Sequence, residues 1–573
     1  MNTASRRDRA GTRRCWRRSA RALAVLLLAV VVPIVVAAPA SAHAVLESTT
    51  PGQGAEVDTL PAAVTLTFSE SVTSDDDSLR VLDRAGSRVD AGRVTHPGGQ
   101  DDRISVALPP DLARNSYTVA WRVISADSHP VSGTFTFGYG VVAGDAAAAA
   151  PHGSAWVGFL NGTARFVGYA GAVLLLGVLA FSAFVWRQLW SRQRARQLVV
   201  AGAGLLAASS LALLALAGPY DSGRGLGQLL SGPLWDQTVH TRYGRMLLVR
   251  LAVGLLAAVT AWLLLPRRLT GSWRRPRPDV TALSVVGLAS FALAEHAGTG
   301  SQAPLATVVD GLHLAAVGAW VGGLLVLTVL LLPAAARPSA ATLDRVLPRW
   351  SNLAFGCVAV IVGTGAYQAW REIGTLPAFT ATAYGRLVLI KIGGLVLLLV
   401  LGFYGRRRVG GGRSRPAPAA TDPVALPGLR RSVGAEVLLS VGVIAVAAIL
   451  VDVQPGRTAY DPAWSASVTA HGIVPQDTLA VRMQVDHTRP GPATVEITVR
   501  DPDGKPVAYQ EVSGLLTEPR RDLGPVRFTL PASSTGHGGQ RVVVPQSGHW
   551  QLSVQVRTSA TTSYAATSTY LVR

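Results

Sequence analysis

Apolar residues are arranged along this chain in two distinct patterns. Within 45–140 they alternate with polar residues in short runs, 64–68, 104–108, 117–124 and 134–139, separated by clusters of Pro, Gly and Asp. Period-two alternation bounded by turn residues predicts antiparallel strands with one buried face, and so a small β sandwich or barrel. From about 164 to 452 the apolar residues run instead in eight long blocks: 164–186, 198–218, 244–265, 280–296, 308–333, 351–370, 385–404 and 434–452. Each is close to the ~20 residues an α-helix needs to cross a bilayer, which predicts an eight-helix transmembrane bundle. After Pro455 the alternation returns, for example at 494–499 and 551–556, with a turn sequence at Asp501-Pro-Asp-Gly504, and predicts a second β domain. The Ala-rich stretch 143–150, followed by Pro151 and Gly153, reads as a tether.

The bundle repeats itself. Arg242-Tyr-Gly-Arg-Met-Leu-Leu-Val-Arg250 opens the third block and Ala383-Tyr-Gly-Arg-Leu-Val-Leu-Ile-Lys391 opens the seventh. Tyr243 and Tyr384, Gly244 and Gly385, Arg245 and Arg386, and Arg250 and Lys391 coincide. A four-plus-four parallel duplication follows, with both copies entering the bilayer from the same side.

Charge sets the orientation. Residues 1–42 combine arginines at 6, 7, 13, 14, 17, 18 and 21 with an apolar run at 23–36 and Ala40-Ser41-Ala42, the pattern of a cleaved signal peptide that leaves His43 as the mature N-terminus. The loops 187–197, 266–279, 334–350 and 405–433 hold 19 arginines against three acids. They alternate with poorly basic loops, so the positive-inside rule makes them cytoplasmic and sends both β domains outside the plasma membrane. The formal net charge of +19 therefore reflects topology rather than nucleic-acid binding. Cys15 and Cys357 are the two cysteines, one in the leader and one in a span, so no intramolecular disulfide framework supports the outer domains.

An N-terminal His offers its α-amine and imidazole Nδ1 to a single metal, and nitrogen ligands in a tetragonal arrangement suit Cu(II). Asp127-Ser-His129-Pro130 supplies a carboxylate and a second imidazole two residues apart, on one face if the segment is a strand. His96, before Pro97-Gly-Gly, reads as a solvated loop residue, and His471, His487, His537 and His549 show no metal-ligand spacing. In the bundle, His313 and Trp320 share a helix face, and Glu295-His296 ends the span that precedes them across a short loop. Gly318 and Gly322 permit close helix contact. Arg250 and Lys391, about two turns into their spans, should pair inward or line a polar path. Cys357 and Met246 each stand alone, which argues against a sulfur-lined copper relay.

The segment from Tyr117 through Trp121, Asp127 and His129 to Phe137, with His43 after the leader, resembles the CopC copper-resistance domains. The resemblance implies a Greek-key β sandwich over 43–141 with Cu(II) on His43, Asp127 and His129; family members that also bind Cu(I) use a Met-rich segment, which this domain lacks. Asp310-Gly-Leu-His313 through Trp320 to Gly323, the Tyr-Gly-Arg openings and Glu295-His296-Ala resemble the CopD family, implying a CopD-like eight-span domain over 164–453 after a linker at 142–163. The last segment, 454–573, resembles the YtkA-like β-sandwich domains. The whole looks like a fused, YcnJ-like CopC–CopD protein. That resemblance implies copper binding outside the membrane and copper transport, inward, through a path for which His296, His313, Trp320 and Glu295 are the candidates. No ATPase motif is present to drive transport.

Two other readings stand beside this one. The protein could be a membrane-anchored extracytoplasmic copper buffer that delivers to a chaperone or oxidase, or a histidine-brace copper oxidase. Against the oxidase, Asp127 takes the position oxygen would need, and a domain of under ~100 residues lacks a broad polymer-binding face.

Overall fold

A computed structural model describes residues 44–125, 130–144, 155–223, 225–263, 278–294, 302–331, 340–410, 425–472, 477–520 and 523–572. The chain divides into two compact units, one containing Gly153–Ala459 and the other built from His43–His152 with Tyr460–Arg573.

In the first β domain, strands β1 (Leu46–Thr50), β2 (Glu56–Val57), β3 (Ala63–Phe68), β4 (Val72–Thr73), β5 (Leu79–Leu82), β6 (Val94–Thr95), β7 (Arg103–Ala107), β8 (Ser116–Ser125) and β9 (Pro130–Tyr139) make two sheets. One is ordered β1-β3-β7-β6; the other is β2-β9-β8-β4, with β5 also on β8. Alternation explains the sandwich: Val64, Leu66 and Phe68 of β3 point inward with Ile104 and Val106 of β7, against Tyr117, Val119, Trp121 and Val123 of β8 and Phe135 and Phe137 of β9. Full burial of each such side chain is worth roughly 1.5–3 kcal/mol. Trp121 packs edge-on against Phe68 at 5.4 Å and lies over its cross-strand partner Gly133, where a Cβ would come within 2.7 Å of the indole.

The helical unit comprises α1 (Ala155–Ala180), α2 (Gln193–Asp221), α3 (Gly232–His240), α4 (Arg242–Leu263), α5 (Pro278–Ala292), α6 (Ala303–Val326), α7 (Ala340–Ile373), α8 (Ala378–Ala381), α9 (Ala383–Gly410), α10 (Ala425–Leu450) and α11 (Gly456–Ala459). Among the described residues seven helices are long and apolar enough to cross a membrane; the fourth predicted span is the 15-residue α5, whose predicted end at 293–296 lies partly outside the described residues. This is a multi-pass membrane protein.

The duplication is visible in local structure. At the start of α4, Thr241 Oγ1 accepts the Gly244 N–H at 3.0 Å; at the start of α9, Thr382 Oγ1 accepts the Gly385 N–H at 3.0 Å. A short helix, α3 or α8, runs beneath each cap. A Cβ on Gly244 would sit 1.9 Å from the Thr238 carbonyl, and one on Gly385 2.2 Å from the Ala378 carbonyl, which explains the glycine in each Tyr-Gly-Arg motif. α1 and α6 both continue into a π-helical turn, Phe181–Val185 and Leu327–Leu331. These two helices cross at Gly177 and Gly322, where small residues let the backbones touch.

The last domain holds β10 (Trp464–His471), β11 (Thr478–Val485), β12 (Gly491–Arg500), β13 (Glu511–Glu518), β14 (Leu523–Leu530), β15 (His537–Val544), β16 (Gly548–Arg557) and β17 (Ser563–Val572). Two four-stranded antiparallel ladders, β14-β13-β16-β17 and β10-β11-β12-β15, face each other; the single pair His471 with Ala565 joins them along one side, and Thr529 N–H donates to Gln540 Oε1 at 3.3 Å where β14 approaches β15 on the other. Trp550, Met483, Val495 and Leu516 fill the barrel-like interior. The predicted turn forms, with Gly504 N–H on the Asp501 carbonyl at 3.0 Å and Gly504 at φ +84°.

Candidate functional site

The first β domain brings together the two stretches that flank the predicted ligands. Ala44 is 2 % exposed, and its N–H donates to Ser125 Oγ at 3.0 Å. Ser125 Oγ in turn donates to Glu70 Oε1, and Val45 N–H donates to Ser69 Oγ at 2.9 Å. The beginning of the described chain is thus tied to the last residue of β8 and to the segment after β3. Ile124 and Pro130 form the final pair of the β8–β9 ladder. His43, Asp127 and His129 lie outside the described residues, but each is within two residues of one of these anchored positions, as His43 precedes Ala44, Asp127 follows Ser125 and His129 precedes Pro130. Glu70 and Ser125 were not singled out by sequence; a lone Glu and Ser carry no spacing signal, and the topology alone unites them.

His96 is half-buried rather than solvated, with Nε2 3.2 Å from Ser74 Oγ. Among the described residues no three His, Cys, Asp or Glu side chains gather in the geometry of a metal site. Met483, the one methionine in the two β domains, is fully buried in the barrel-like core and is closed to metal.

In the bundle, Glu295 and His296 lie outside the described residues. His313 faces α7, where its Nδ1 is 2.8 Å from Thr364 Oγ1. One turn toward the start of α6, Asp310 Oδ1 accepts from Gln368 Nε2 at 2.7 Å, and at the helix end Tyr367 OH donates to Gln302 Oε1 at 2.9 Å. Three polar rungs therefore join α6 to α7. Farther along, the interface turns apolar: Ala316, Trp320 and Leu324 pack with Trp350, Cys357 and Ile361. Trp320, 7 % exposed, belongs to this apolar core. Asp310 went unassigned in the sequence although it lies one helical turn from His313, a signal that the i, i+3 spacing carries.

The paired cations of the repeat have different settings. Arg250 is 2 % exposed, donates to the Ser290 carbonyl at 3.0 Å and lies 3.6 Å from the centroid of the Phe291 ring. Lys391 acts electrostatically on His313 and Asp310. In the first half, Arg165, buried in α1, pairs with Asp452 at 3.2 Å.

Comparison with known proteins matches residues 46–140 to the CopC domain, 154–304 to the copper resistance protein D-like N-terminal domain, and 344–450 to copper resistance protein D. The chain is 26% identical over 530 residues to the copper transport protein CutJ of Bacillus subtilis, covering 90% of this chain and 93% of that protein. It is 33% identical over 109 residues to copper resistance protein C of Pseudomonas syringae pv. tomato, covering 18% of this chain and 86% of that protein. The crystal structure of CopC from Methylosinus trichosporium OB3b is similar at 27% identity and a TM-score of 0.16, covering 17% of this chain and 93% of that one.

Proposed function

Because this chain belongs to the copper-resistance family in which a CopC domain is joined to a CopD membrane domain, we propose that it captures copper(II) outside the plasma membrane on His43, Asp127 and His129 and passes copper inward through α6 and α7. The observation that supports the capture site is the Ala44 to Ser125 hydrogen bond, which draws the N-terminal end of the domain to the hairpin that carries Asp127 and His129. Cleavage before His43 supplies an amine and an imidazole at one metal, and the hairpin supplies a carboxylate and a second imidazole; this N,O set suits Cu(II). The arginine-rich loops support an orientation with both β domains outside. The polar rungs between α6 and α7 give a cation entering from that side groups to meet, ending at His313.

The test is copper content in a copper-limited host that expresses the intact protein or its His43→Ala, His129→Ala and His313→Ala variants. Intact protein is expected to raise intracellular copper; His313→Ala is expected to abolish the rise while copper still binds outside. Copper that stays outside with intact protein present overturns transport and leaves a surface buffer or delivery factor.

A further inference from the structure

The three rungs between α6 and α7 fix the chemistry of His313. A threonine hydroxyl has one proton to give and two lone pairs to offer. Thr364 Oγ1 spends its proton on the Val360 carbonyl at 2.6 Å, so toward His313 it can only accept. The proton in that bond therefore sits on His313 Nδ1, and the neutral ring keeps its Nε2 lone pair for a metal, the usual arrangement when a second group orients a ligating histidine. Gly365 lies beside the ring, where even a Cβ would stand 3.6 Å from Cε1, so this position of α7 puts no side chain over that edge. Asp310, on the same face one turn away, has one oxygen held by Gln368 Nε2.

α1 carries a similar pair, Asn161-Gly162, but Ala164, three residues on from Asn161, offers only its backbone carbonyl, which accepts from Ser209 Oγ at 2.6 Å. The cation of the first half, Arg250, is closed off by a carbonyl and a ring, whereas its counterpart Lys391 lies within electrostatic reach of the acid and the imidazole.

We propose that His313 Nε2 and Asp310 form an intramembrane copper site, with Thr364 as the positioning residue and the Lys391 ammonium as the tethered counter-charge that balances Asp310 until copper arrives. The proposal rests on the reading that copper enters the membrane domain. Two protein ligands and a competing cation make a weak site, which is what passage requires, because an ion that binds must also leave.

Full-length protein carrying His129→Ala, to disable the outer site, is titrated with copper in detergent against a competing chelator. One weaker copper is expected to remain and to be lost in His313→Ala and in Asp310→Asn. Removing the fixed positive charge with Lys391→Met is expected to tighten it about tenfold or more, Lys391→Arg and Arg250→Met to leave it unchanged, and Thr364→Val to weaken it while Thr364→Ser restores it. A second copper that survives both His313→Ala and Asp310→Asn, or none in the His129→Ala parent, overturns the site; indifference to Lys391→Met overturns the counter-charge. The cellular assay reports separately on transport: a second copper with the expected variant profile but no intracellular rise upholds the site and sinks the transport reading.

Discussion

Ser125→Ala isolates the contact that joins the two parts of the proposed copper site. Ser125 Oγ gives its proton to Glu70 and accepts the Ala44 N–H. Ala44 is 2 % exposed, so water cannot replace the lost acceptor. A buried donor left unpaired costs about 1–3 kcal/mol. That energy holds the chain beside the hairpin before metal arrives, and without it copper binding must supply it. At about 1.4 kcal/mol per tenfold, the dissociation constant for Cu(II) should rise by roughly fivefold to a hundredfold. The assay is competition titration of Cu(II) on full-length protein whose N-terminus has been confirmed as His43, with circular dichroism to verify the fold; Ser125→Thr, which retains a hydroxyl, should bind close to the parent. An alanine variant within twofold of the parent would refute the claim that this bond organises the site.

Other expectations follow from the packing. The Tyr570 hydroxyl is buried with no hydrogen-bond partner among the described residues while its ring stacks on Trp464 at 4.9 Å, so Tyr570→Phe should stabilise the last domain by about 1 kcal/mol in a denaturant melt. Tyr564 donates to Asp477 Oδ2 at 2.7 Å, and that bond, with burial, holds its phenol above the usual tyrosine range. The folded state then keeps this proton to higher pH than the unfolded state. Stability should be intact below about pH 10 and fall as pH rises through the folded-state value, and Tyr564→Phe should flatten that fall in melting temperatures measured on either side. At the crossing of α1 and α6, a Cβ on Gly322 would lie 2.1 Å from the Val173 carbonyl and 2.6 Å from Gly177 Cα; Gly322→Ala should cost about 1–3 kcal/mol and lower the temperature at which detergent-solubilised protein aggregates.

Much of the architecture is legible in the chain because burial imposes period. The runs at 64–68, 104–108, 117–124 and 134–139 lie in β3, β7, β8 and β9, whose inward residues alternate. The apolar blocks seed the long helices, although the helices extend beyond them: α7 continues past both block ends on polar and charged residues that hydropathy cannot score. The Tyr-Gly-Arg repeat was readable, whereas its cause, a threonine cap above a short helix, was not, since Thr241 and Thr382 look ordinary in sequence. How the two ladders of the last domain meet depends on which strands are neighbours, information that alternation does not carry. Glu70 and Ser125 are far apart in the chain, and Thr364 earns its place only through the bond to His313.

The edges of the β domains have a further consequence. In the first domain three of the five outermost strands, β2, β4 and β6, are two residues long, and in the last domain the terminal strands β14 and β15 lie against each other. Little unpaired backbone is left to recruit a strand from a neighbouring molecule. A chain with no disulfides to lock its soluble parts therefore resists self-association by strand geometry, and so can be crowded on a membrane without zipping edge to edge.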